Sequence, residues 1–182
     1  MTGVVAAFGL AAASGLNAYL PLLIVGLLAR YTTLITLKAP WNALANPVVL
    51  AVIVVLLAVE MTVDKIPGVD TVNDGIQTLF RPAAGAILFA ASGNIISDIS
   101  PALAMICGLL IAGGVHTAKS VSRPAVTAGT LGTGNPVVSV AEDAVSGVTT
   151  LLAIVAPALL AALIIVSAYW IWRWRRRRKE RG

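Results

Sequence analysis

Glu60 to Gly85 carries six charged residues, Glu60, Asp64, Lys65, Asp70, Asp74 and Arg81, in a chain whose remainder is largely apolar. Carboxylates set beside an arginine among apolar helices can bind a cation or polar solute or line a path for one; paired internally, they only lock helices together. Glu60 and Asp64 lie four apart and share one helix face. After the Pro67-Gly68 break, a second helix is predicted from Asp70 to about Arg81, with Pro82 ending it or starting the next. On it Asp70, Asp74, Gln77 and Arg81 form a polar stripe, and Val72, Ile76, Leu79 and Phe80 fall mostly on the other side. Two readings stay open for this helix. It is an amphipathic connector with solvated charges in the headgroup layer, or a polar constellation tucked between membrane helices. Glu60 is the strongest single candidate. It lies six residues before the end of its apolar run, roughly 9 Å inside by the helical rise, where protonation or pairing with Lys65 or Arg81 is expected.

A second polar intrusion is Asn17, in A-S-G-L-N-A-Y-L-P (Ala13 to Pro21), where Ser14, Gly15, Asn17 and Pro21 weaken a helix in the middle of an apolar run. Such breaks persist in lipid where protein or a watery cavity satisfies the backbone; a kink alone and a kink with a binding role are both open. Asn135, Glu142 and Asp143 form a candidate second cluster, following the Asn135-Pro136 turn on a helix over 137–147. The glycines of A-G-T-L-G-T-G-N-P fit neither a P-loop nor a dinucleotide fingerprint.

The elements that must position these groups are membrane helices. The chain is 58% hydrophobic and 12% charged, with a mean hydropathy of +0.92, outside the soluble range. The fold class expected is all-α: a polytopic helical membrane protein of about five spans with broken or re-entrant segments. The spans are read at 3–29, 47–66, 83–96, 101–118 and 149–172, the last kinked at Pro157, with 119–146 a polar connection. Segments 83–96 and 101–118 are short and have a re-entrant hairpin with Asp98 at its tip as their alternative. A weak internal repeat is also readable: a Ser-Gly-Asn break (14–17; 92–94), a Pro-led span (Pro47; Pro101), a terminal lysine (Lys65; Lys119) and an Arg-Pro-Ala (81–83; 123–125).

The net charge of +5 is concentrated in residues 173–182, which hold six Arg and one Lys directly after the aromatic belt of Tyr169, Trp170, Trp172 and Trp174. That order marks a cytoplasmic boundary and a partner in anionic lipid rather than nucleic acid. Residues 1–172 are therefore read as a helical transmembrane domain and 173–182 as a basic cytoplasmic tail. Five spans then put the N-terminus outside, Arg30 to Lys38 inside and Asp64 to Arg81 starting from the outer side. The single Cys107 and single His116 are too few for a Cys/His metal site or nucleophile pair, so no metal, cofactor or catalytic residue is expected.

At A-A-S-G-L-N-A-Y-L-P-L-L (12–23), D-K-I-P-G-V-D (64–70) and R-P-A-A-G (81–85) the chain resembles a bacterial membrane-protein family catalogued as domain of unknown function 4126. The resemblance runs to about Ile165, with the Arg-rich tail outside it. It implies an integral inner-membrane protein and supplies no site residues. The functional expectation is a small transporter or channel-like protein for an ion or polar solute, using Asn17, Glu60, Asp64, Asp70, Asp74 and Arg81. The alternative is a non-catalytic membrane scaffold or assembly factor. An enzyme is not expected, and a homo-oligomer stays open.

Overall fold

A computed structural model of the chain describes residues 2–64, 69–92 and 99–179, without the side chains of 2, 69–72, 74, 178 and 179. Among them every regular element is helical: α1 (Thr2–Leu16), α2 (Tyr19–Tyr31), a 3₁₀ turn (Trp41–Ala45), α3 (Pro47–Val63), α4 (Val69–Ala91), α5 (Pro101–Thr130), α6 (Asn135–Val155) and α7 (Pro157–Lys179). α5, α6 and α7 are long and apolar enough to cross a membrane, whereas α1, α2 and α3 are shorter apolar helices.

The run read as one first span is two helices. The Asn17 side-chain oxygen accepts from the N–H groups of Tyr19 (3.1 Å) and Leu20 (2.8 Å), as an N-cap does. The Lys119 ammonium donates to the Leu16 carbonyl (3.2 Å) at the end of α1. With both broken ends satisfied, the chain reverses rather than kinks. Gly3 on α1 and Val25 on α2 consequently line the same cavity, which a continuous helix would hold about 33 Å apart.

Pro47 and Pro101 open α3 and α5, with Asn46 and Ser100 as side-chain caps. α4 runs through Pro82, where the sequence predicts a boundary, and so joins the expected short helix to the expected third span. Pro82 removes one rung of the helical ladder. Packing overrides it, because Phe89 and Ala90 lock against Ala7 and Ala11 of α1 and Ala104 of α5. α4 and α5 touch at Gly85 and Gly108, where a Cβ on Gly85 would lie 2.7 Å from the Gly108 carbonyl oxygen. α5 likewise passes Pro124 and takes in the first part of the connection read at 119–146. The proposed Asp98 tip and the Pro67-Gly68 break lie outside the described residues.

Pro157 also marks a reversal, not a kink. Residues Ala144 to Leu152 of α6 and Leu160 to Ile171 of α7 flank one groove, so α7 returns alongside α6. It stays helical to Lys179, extending into the segment read as a separate tail.

The bundle therefore has two unlike ends. The start of α1, the end of α2, the end of α4 and the α6–α7 junction surround an apolar cavity of about 490 Å³. Asn17, Asp64, Lys119 and Asp143 meet at the other end, to which α7 also carries its arginines. The two missed reversals, at 17 and 157, cancel at the termini but invert everything between. Arg30 to Lys38 lies at the end opposite the basic segment, and Asp64 to Arg81 begins at the same end, each contrary to the five-span reading. The repeat does not survive either. Pro47 and Pro101 start helices at the same end, while Ser14 lies toward the charged end and Ser92 lines the apolar cavity. No single repeat operation relates both pairs.

Candidate functional site: a buried charge network

The described part of the α4 polar stripe, Gln77 and Arg81, points inward. Asn73, Gln77 and Arg81 are buried, Arg81 completely, while Ile76, Leu79 and Phe80 are exposed. An apolar face turned outward and a polar face turned inward is the reverse of a surface helix in water, and suits a helix bathed in lipid. Of the two readings of this helix, the geometry has the constellation between helices.

Arg81 stands between α3 and α5. Its Nε and Nη2 both donate to Glu60 Oε1, at 3.3 and 3.0 Å, and Nη2 lies 3.8 Å from Asp64 Oδ2. Its Nη1 is 2.9 Å from His116 Nδ1. Arginine only donates, so Nδ1 must accept. In the neutral ring the proton is then on Nε2, facing the Thr78 hydroxyl at 3.0 Å.

Asp64, one residue past α3, is the hub. Lys119 (3.0 Å), Arg123 (3.1 Å) and the Ser139 hydroxyl (3.4 Å) all donate to Oδ2, and Asn73 donates to Oδ1 (3.2 Å). Three cations within 4 Å hold that carboxylate ionised, and its four donors supply what water would have given. Lys119 and Arg123 also reach Glu142 Oε2, at 3.0 and 2.7 Å. Asp143, next along α6, accepts from Asn17 Nδ2 at 2.9 Å, and the Ser146 hydroxyl donates to the Ala13 carbonyl (2.9 Å).

The two clusters expected from the sequence are thus one. Glu60, Asp64, Arg81 and Glu142 form a connected network, the Asn17–Asp143 pair adjoins it through the Lys119 bond to the Leu16 carbonyl, and Asn135 sits at its margin, buried and bonded to Thr127 at 3.0 Å. Asp70 and Asp74 lie on α4 with side chains outside the described residues. The titratable members that escaped the sequence reading are His116, Lys119 and Arg123. Their signal was the spacing i, i+3, i+7, one face of a helix, obscured because 119–146 was taken for a connection. Lys119 and Arg123 are as buried as the acids they meet. Among the described residues no group of His, Cys, Asp or Glu has metal-holding geometry.

Apolar helices around a buried ion network define a helical bundle of the membrane-protein class. Within it, the chain belongs to the family described as Domain of unknown function (DUF4126), whose model matches residues 4–177. The match takes in the arginines at 173–177, which the resemblance had left outside. Neither a curated protein nor a solved structure matches the chain.

Proposed function

We propose that the chain is a small membrane transporter or channel-like protein for an ion or polar solute, and that the network around Asp64 and Arg81 is its working site. The observation that supports this most is the meeting of that network with the tip of the α1–α2 hairpin. Two helix ends stop inside the bundle, one carbonyl end held by Lys119 and one N–H end held by Asn17. Helix ends that stop inside a membrane bundle, lined by paired charges, are how transport proteins hold polar cargo away from lipid. Buried ion pairs add little net stability over an apolar core, so stability alone is a weak reason for so many.

The scaffold reading has an observation of its own: most of these groups are paired with one another, as helix-locking residues would be. No enzymatic role is proposed. In the orientation we favour, the basic end of α7 faces the cytoplasm of an inner membrane against anionic lipid, with the network at that side and Arg30 to Lys38 opposite.

A proteoliposome flux screen over small ions and polar solutes tests the reading, with Glu60→Gln as the control. Flux of one solute, lost in Glu60→Gln, is the expected result; a folded protein that moves nothing in the screen leaves the scaffold. Cysteine accessibility at residues 33 and 176 should report opposite sides, and the same side for both would overturn the fold's topology in the membrane.

A further inference from the structure

Among the described residues the network holds four carboxylates, Glu60, Asp64, Glu142 and Asp143, against three cations, Arg81, Lys119 and Arg123. His116 adds no charge to the balance, since its Nδ1 accepts from Arg81. Hydrogen bonding sets one of these four carboxylates apart. Glu60 Oε1 takes both bonds from Arg81, while Glu60 Oε2 has no hydrogen-bond partner. Gln77 Oε1, on the same inward face of α4 one turn before Arg81, also has none. Both side chains are more than nine-tenths buried. Two buried acceptors on adjacent helices, one of them a carboxylate oxygen, each lack the hydrogen that such a group requires.

We propose that Glu60 is a proton-binding site: an O–H bond forms on Oε2 and the hydrogen is shared toward Gln77 Oε1, so that both buried acceptors are satisfied. Arg81 keeps its two bonds to Oε1 in either state, so the proton can come and go without breaking the α3–α4 pairing. Among the described residues, the groups around Glu60 are Tyr19 from α2, Asp64 beyond α3, Gln77 and Arg81 from α4, and His116, Lys119 and Arg123 from α5. Glu142 and Asp143 stand behind these on α6. Among the described carboxylates, Glu60 Oε2 is the buried oxygen without a hydrogen-bond partner, so Glu60 is the carboxyl to protonate. As a coupling proton, this site rests on the transport reading.

The test is infrared difference spectroscopy of the full chain in lipid nanodiscs. A protonated-carboxyl C=O band is expected at neutral pH, shifted in D2O and lost completely in Glu60→Gln. Gln77→Leu should keep the band and move it to higher frequency, because the acceptor is gone. If Glu60→Gln does not fold, Gln77→Leu still decides, and an unmoved band overturns the proposal. So does the absence of any such band, or one that persists in Glu60→Gln. Stabilisation by sodium ion that requires Glu60, without the band, would assign the site to a metal cation instead and equally overturn it. A band that behaves as expected in a protein with no flux leaves the proton site standing and removes transport. Flux without the band does the reverse.

Discussion

The two ends of this bundle are built from opposite materials. At the charged end the positions of side chains are set by directional pairs, with Asp64 drawing on α4, α5 and α6 at once. At the other end an apolar cavity of about 490 Å³ is walled by Ala6, Leu10, Val25, Leu88 and Ala153, with the extended segment 34–37 across it. Directional contacts fail when one partner is removed, whereas an apolar wall deforms and refills. The same helices run through both ends, so the contrast can be tested within one molecule.

The largest effect is expected at the hub. Asp64→Ala takes from the buried Lys119 and Arg123 one of the carboxylates they share, and a loss of about 3–5 kcal/mol, or failure to fold, is expected in thermal or denaturant unfolding in detergent. A variant that unfolds like wild type would show that the hub is not the fastening it looks like. Next comes the middle of the bundle. Gly108→Ala puts a methyl against the Gly85 backbone and the Phe89 side chain, and the helices must part at a loss of about 1–3 kcal/mol.

Pairing at the charged end is then isolated by a cycle. Arg81→Ala alone should destabilise more than Arg81→Ala with Glu60→Gln, with a coupling of about 0.5–3 kcal/mol, because the double variant also removes the buried carboxyl whose two donors are lost with Arg81. Additivity within about 0.5 kcal/mol would reject the pair as a unit. The smallest effect belongs to the apolar end. Ala91→Leu adds carbon where the cavity has room, and a change within about 1 kcal/mol of wild type is expected in the same unfolding assay. A loss as large as that of Asp64→Ala would erase the distinction between the two ends.

Composition alone determined the all-helical, lipid-adapted character, because 58% apolar residues in long runs cannot be kept in water at this length. Local chemistry also determined that residue 17 breaks a helix, that Pro47 and Pro101 start helices, and that Gln77 and Arg81 share a face. The D-K-I-P-G-V-D and R-P-A-A-G strings were enough to point to the family. Three things waited for the tertiary structure. A Ser-Gly-Asn break is compatible with both a kink and a reversal, and the choice falls to Lys119, 103 residues away, which holds the Leu16 carbonyl. A proline in a helix stops it or is carried through according to packing on the far side, as Phe89 decides for Pro82. Which face of α4 turns inward depends on what waits there, and the partners of Arg81 are 21 and 35 residues distant. Periodicity reports that a helix has two faces. Only the neighbours brought up by folding say which one is inside, since charge pairing over such separations leaves no trace in local spacing.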